Sequence, residues 1–365
     1  MLTSRTFTGP SFFFLSVRWG SALLLGAVLV SSLGGVQRAA AQQSAFEQAK
    51  QKYQFAEYET ATSLFQKVAD NQQADMALRR DALRYLARTY IARGQKGNAR
   101  SAIQELVGTN PPTDYLNPDV EPPAVMDIYY RVRKEQRGDY SVQEQQGLQT
   151  LAVMDFSNNS ITRREDYQGL SKGLPSIMIN HLTGGTDLQV IERERIEWLL
   201  NELKLQKQGD KVDQSTAVRT GKLLGANAVV FGSFIATENQ MNVSARVVKV
   251  ETGEVLFGDQ VRGKPDEFFS LIKELSQKVT KSINVEMEET KLGSEQTKSL
   301  DAMMAYSDGL SLLEAGKYRE AQGKFKQALE YDDSFAKARK KMKSLKPMVA
   351  SLGAENENAS SSSME

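Results

Sequence analysis

The apolar run Gly225-Ala226-Asn227-Ala228-Val229-Val230-Phe231-Gly232-Ser233-Phe234-Ile235 limits the folds open to this chain more than any other stretch. Its Val, Phe and Ile side chains suit a pleated, buried surface, and Gly232 leaves room for a neighbouring backbone or helix to come close. The run predicts the central strand of a sheet. Two shorter strand candidates precede it, Leu151–Phe156 and Leu188–Ile191. Each is followed by apolar residues at helical spacing: Leu170, Leu174, Ile177, Met178 and Leu182 after the first, then Ile196, Leu199, Leu200 and Leu203. Ser157–Ser160 reads as the turn closing the first strand, and Ser215 as the cap of the helix that leads into the run. Downstream, Val243, Ala245 and Val247 alternate with Asn242, Ser244 and Arg246, and Glu251–Glu254 makes a hairpin turn into Val255–Arg262. Pro265 then opens a helix that buries Phe268, Ile272, Leu275, Val279 and Ile283. Strands alternating with helices and ending in a hairpin predict a mixed α/β sheet over residues 151–285.

The flanks read as all-α. Ala87, Ala99 and Pro111 recur at equal intervals, with Leu83 and Leu86 just ahead of them and Tyr90, Gly94 and Ile103 between them. Small residues let two helices touch, Gly94 serves the turn, and Pro111 stops the second helix. A weaker copy precedes it at Ala49, Tyr58, Ala61 and Phe65, and a third hairpin follows the sheet at Gly309, Gly316, Tyr318, Ala321, Phe325 and Ala328. These hairpins resemble tetratricopeptide repeats. They predict a helical domain over 42–137, closed by a capping helix within Pro122–Gln136, and a C-terminal hairpin over 299–345. Polar linkers are expected at Arg137–Gln149 and Glu286–Lys298, and the Ser- and Asn-rich end, 350–365, is expected to be disordered. By analogy with such repeats, Lys50, Tyr53, Arg84 and Arg88 occupy the offsets that line a concave groove. A groove with those side chains suits an acidic or C-terminal segment of a partner, and the same residues equally suit an ordinary solvated helix face.

The N-terminus carries Arg5 and Arg18, a short apolar centre at Ala22–Val30, and Ala39-Ala40-Ala41. This order describes a cleavable secretory signal over residues 1–41, with the mature chain starting near Gln42. The apolar centre falls short of the ~20 residues a bilayer span needs, and no later stretch is apolar enough to cross a membrane. The product is expected in the periplasm, or at the outer membrane facing it.

Composition narrows the chemistry. The 365 residues contain no cysteine, one histidine and a formal charge of +1. That excludes disulfides, thiolate metal sites, a Cys nucleophile and a lipid-modified cysteine. A balanced charge without a basic stripe gives no footprint for nucleic acid. His181, late in an amphipathic helix, reads as solvated or structural. Gly221-Lys222 lacks the hydroxyl residue and leading glycine of a phosphate loop, since Leu223 and Thr216 stand there, and no dinucleotide or zinc-protease motif is present. No catalytic residue, metal or cofactor is assigned. Glu192-Arg193-Glu194-Arg195 reads as a helix first turn with its charges in water. Asp155 reads as a turn acceptor, because no motif places a second titratable group beside it.

Four pieces of the α/β unit, taken in order, carry a resemblance. They are Ala152-Val153-Met154-Asp155-Phe156; Val190-Ile191-Glu192-Arg193 with the helix to Leu200-Asn201-Glu202; Gly225-Ala226 through Gly232-Ser233; and Val243–Glu254. The unit resembles the CsgG family, the curli production assembly/transport component that forms an outer-membrane secretion channel. Channel-forming members carry a lipidated cysteine and two long inserts that become membrane hairpins. Here the corresponding gaps are only Thr237–Met241 and Gly263–Lys264, too short for a membrane strand of ~9–11 residues. The resemblance implies the fold, an envelope location and assembly into an oligomeric ring, but not a self-made pore. The expected function is a non-enzymatic, protein-binding scaffold that assists assembly or export of surface proteins. One alternative is a periplasmic regulator that binds and activates a cell-wall synthesis enzyme; a second is a hydrolase working through carboxylates such as Asp155.

Overall fold

The computed structural model describes residues 40–109, 116–142, 149–162, 164–204, 213–288 and 297–352. Residues 1–39, most of the stretch read as a secretory signal, lie outside the described residues, as do Pro111, much of both linkers and the end of the tail. The helices are α1 (40–54), α2 (Tyr58–Ala69), α3 (Met76–Ala92), α4 (Lys96–Val107) and α5 (Pro123–Arg137). The α/β unit follows as β1 (Thr150–Asn158), α6 (Leu170–Gly185), β2 (Gln189–Ile191), α7 (Arg193–Glu202), α8 (Gln214–Leu224), β3 (Ala228–Ala236), β4 (Met241–Lys249), β5 (Val255–Gly263) and α9 (Phe268–Ser282). The chain continues through α10 (Leu300–Glu314), α11 (Tyr318–Tyr331), α12 (Ala336–Ser344) and a short helix α13 (346–352).

The five strands form one mixed sheet in the order β2-β1-β3-β4-β5. The organising run is β3, the middle strand, parallel to β1 and antiparallel to β4. Val229 faces Val248 across the pairing, Val230 faces Val247, and Phe231 faces Arg246. Gly232 is where backbones crowd: a Cβ there would sit 2.1 Å from the Ser244 carbonyl oxygen and 2.5 Å from the Phe156 ring. The alternation of β4 is as read, with Val243, Ala245 and Val247 buried while Asn242, Ser244 and Arg246 face outward. Gly253 turns the hairpin with φ at +75°.

Two layers cover the sheet. Alternate residues of β1 and β3, Val153, Phe156, Val230 and Phe234 among them, face α6 and α9, while Ala152, Met154, Val229 and Phe231 face α7 and α8. The C-terminal helices belong to the first of these cores. Tyr306 of α10, Phe325 of α11 and Phe335 sit in one apolar cluster with Leu174 and Met178 of α6. The N-terminal helices enclose a separate core in which Ala87 and Ala99 are fully buried. That unit meets α7 through aromatic rings: Tyr130 of α5 and Tyr140 both lie within 6 Å of Trp198, at 5.4 and 5.8 Å between ring centres.

Three local readings change. Ser157 and Asn158 continue β1 and do not turn, because both stay paired to β3; the turn follows, supported by the Asn158 Oδ1 that accepts the Ser160 N–H at 3.0 Å. Asp213 caps α8, accepting the Thr216 N–H at 2.7 Å, while the Ser215 hydroxyl donates to that same carboxylate. Pro265 opens a 3-10 turn ahead of α9.

His181 takes the structural reading. Its Nδ1 lies 3.2 Å from the Ser276 hydroxyl of α9, and burial, with Lys273 nearby, lowers its pKa from 6.5 to about 4. The unfolded imidazole therefore binds a proton that the folded one refuses, so stability falls as pH drops from about 6.5 towards 4. The expected loss is about 2–3 kcal/mol after allowance for partial exposure. Denaturant titrations at pH 7 and 4.5 should show it, and His181→Gln should remove most of that slope.

Candidate interaction cleft

The pairing of β1 with β3 slips between Val153 and Phe156, so β1 carries a bulge. Bulges re-aim side chains, and this one returns Phe156 to the α6 face and leaves Asp155 as the extra residue. Asp155 is only 8% exposed, and it is not a turn acceptor. Its carboxylate accepts from Lys172 Nζ of α6 at 3.0 Å and lies 3.7 Å from the Arg193 guanidinium of α7. Lys172 and Arg193 both also bind Glu314 at the end of α10, Arg193 at 2.6 Å. Second titratable groups therefore do stand beside Asp155, brought from α6, α7 and α10.

The charged turn at Glu192–Arg195 is likewise not in water. Arg193 is 4% exposed. Glu194 accepts from Lys341 Nζ of α12 at 2.5 Å, and the same ammonium donates to the Pro118 carbonyl at 3.0 Å and lies 3.5 Å from Asp119. Lys337, one turn earlier, donates to Ser176 and Asn180 of α6. Burial alone would push the Glu194 carboxyl up, but Lys341, Arg193 and Lys337 outweigh it and hold the carboxyl well below the usual range. For Lys341, burial works downward while Glu194 and Asp119 raise it further. A chain of ion pairs thus ties the N-terminal unit, the sheet unit and the C-terminal helices together.

Beside this chain opens a cleft of about 960 Å³, between α5, α7 and the α10–α13 segment. Met126, Trp198, Leu313, Tyr318 and Met348 supply apolar walls, and Glu194, Glu314 and Lys341 also line it. Its carboxylates are engaged. Asp127 accepts from the Trp198 indole N–H at 3.1 Å and from Arg131, and Glu202 pairs with Arg131 at 2.8 Å. Tyr130 also lines the cleft, and its hydroxyl is buried without a hydrogen-bond partner among the described residues.

The four groove residues read from the sequence sit in the N-terminal unit, apart from this cleft. They gather near the Tyr85 ring: Tyr53 packs edge-on against it at 5.4 Å and the Arg88 guanidinium lies over it at 4.6 Å. Lys50 is held by Glu47 at 3.0 Å. Arg84 and Arg88 converge on one carboxylate, that of Glu121, whose side chain is fully buried; Arg84 donates at 2.8 Å and Arg88 at 2.6 Å. Burial would raise the Glu121 carboxyl, yet Arg88 and then Arg84 hold it low. The acidic group gripped by these arginines therefore comes from the chain itself. Lys172, Glu314 and Lys341 had no local signal, since each reads as a solvated helix charge in its own stretch of sequence.

Fold and cleft together define a mixed α/β domain wedged between helical units. Residues 139–242 match the family model described as curli production assembly/transport component CsgG, and this unit is a CsgG-family domain. The match runs from ahead of β1 to the start of β4. No curated protein matches the chain. Among solved structures, the chain is similar to lipoprotein GNA1162 from Neisseria meningitidis, at 16% identity over 32% of this chain and 79% of that one, with a TM-score of 0.27. It is also similar to TolB from Acinetobacter baumannii, at 12% identity over 38% and 29%, TM-score 0.25. The LpoB C-terminal domain from Escherichia coli gives 16% identity over 31% and 81%, TM-score 0.24. Among the described residues no helix is long and apolar enough to cross a membrane.

Proposed function

We propose that this chain is a non-enzymatic, protein-binding component of the bacterial cell envelope that assists assembly or export of surface proteins. The observation that carries the reading is the cleft, which is built where the CsgG-family domain meets both helical units. A large concave site with apolar walls is the form in which protein segments and ligands are usually held. Its carboxylates favour gripping over proton transfer: Glu194 is tied to Lys341, Glu314 to Arg193, and Asp127 and Glu202 to Arg131. A carboxylate fixed as an ion pair is a poor general base. Export by the N-terminal signal and assembly as an oligomer belong to the same reading.

Photo-crosslinking in living cells tests it. A crosslinking amino acid at Arg100 or Lys204, both on the cleft wall, should yield discrete high-mass adducts, and the same group at Lys326, exposed on α11, should not. Equal labelling at all three positions, or none, would remove the proposal. A secretion component in the adduct supports the assembly role, whereas a peptidoglycan synthase would shift the reading to the regulator of a cell-wall enzyme.

A further inference from the structure

Beyond a general protein-binding role, we infer that the cleft takes a segment of a partner protein in which an apolar anchor is flanked by carboxylates. This rests on the reading that the cleft binds protein, and it assigns the chemistry of what enters. Three features of the lining set that chemistry. The walls formed by Met126, Trp198, Tyr318 and Met348 offer apolar and sulfur surface to one bulky side chain. The carboxylates nearest those walls are spent: Asp127 serves Trp198 and Arg131, and Glu202 serves Arg131. Two cations on the same lining, Lys96 at the start of α4 and Lys204 just after α7, are exposed and form no ion pair among the described residues.

The uncommitted charge of the cleft is thus positive, which selects acidic flanks and rejects basic ones. An occupant with lysine or arginine flanks would instead face Lys96 and Lys204 as like charges.

Fluorescence anisotropy with labelled peptides tests the assignment on the full-length chain. The first probe has a Phe-Leu core flanked by glutamates, the second the same core flanked by lysines, and the third the glutamate flanks around Ser-Ser. The first should bind at least about tenfold more tightly than either other, and its affinity should fall as salt is raised. Lys96→Glu with Lys204→Glu should weaken it about tenfold, and both positions are exposed enough for the fold to survive, as circular dichroism would verify.

Equal binding of the acidic and basic probes, or binding unchanged by the double substitution, overturns the charge assignment. If a second copy of the chain fills the cleft, sedimentation will show concentration-dependent association that the acidic probe does not reverse, and that outcome also overturns it. Adducts at Arg100 and Lys204 in cells together with failure of the acidic probe would sink the assignment alone. Absence of adducts would sink the protein-binding reading beneath it.

Discussion

Lys341→Met is expected to lower the free energy of unfolding by about 3–5 kcal/mol, the cost of stranding the partners of a buried ion pair. Methionine keeps the length and most of the volume of the side chain, so the loss is electrostatic and not a cavity. The Lys341 side chain is 3% exposed, and its ammonium serves three acceptors from two other parts of the chain: Glu194, the Pro118 carbonyl and Asp119. Without it, the Glu194 carboxylate keeps its desolvation but loses its largest compensating charge. Adding Glu194→Gln should therefore recover part of the loss, and the double-mutant cycle measures the coupling.

The sign with pH follows from the depressed carboxyl of Glu194. Its contribution is present above the unfolded value of 4.5 and is lost as pH falls towards the folded one. Wild-type protein should lose stability steeply below about pH 4.5, and the Met variant should lose less over the same interval. Urea titrations at pH 7 and 3.5 give both numbers. A Met variant within 1 kcal/mol of wild type would show that the Lys341 ion pairs add little to what holds the three units together.

Gly232→Ala is the second large effect, expected to cost about 3 kcal/mol or more. The added Cβ would meet a backbone carbonyl, that of Ser244, at 2.1 Å, and the rim of Phe156 at 2.5 Å. A flexible side chain could swing aside, but a carbonyl in the β3–β4 ladder moves only if the strand moves. Gly258→Ala on the edge strand β5 is the control. There the new Cβ finds only the Arg246 Cγ, at 3.9 Å, and the change should stay within about 0.5 kcal/mol. Thermal melts of the two variants side by side check the contrast. Equal melting temperatures would mean that β3 and β4 slide apart at little cost.

Both residues mark how far the sequence could be read. Gly232 was legible, because a glycine inside an apolar strand signals close approach of another backbone. Lys341 was not. Its helix, Ala336–Ser344, carries Lys337, Arg339, Lys340, Lys341 and Lys343, a pattern that on its own describes a charged face in water. Asp155 misled for a related reason: the β1 bulge that re-aims it depends on how β1 registers against β3, a strand far along the chain. Arg84 and Arg88 read from the sequence as groove residues for an acidic segment of a partner, and the carboxylate they hold in the structure is that of Glu121, from the connection between α4 and α5.

By itself the sequence determined the strands, the helices and the two-faced character of the sheet, because those follow from residues two to four positions apart, whose periodicity is fixed by local backbone geometry. It also determined that no cysteine chemistry is available. The tertiary structure alone decided where charge is buried and where a cleft opens. Asp119, Asp155, Glu194, Glu314 and Lys341 come together only because the C-terminal helices pack beside α6 while the N-terminal unit packs against α7. A residue's charge is written in the sequence, whereas its solvation is set by neighbours that arrive from hundreds of ångströms of extended chain away.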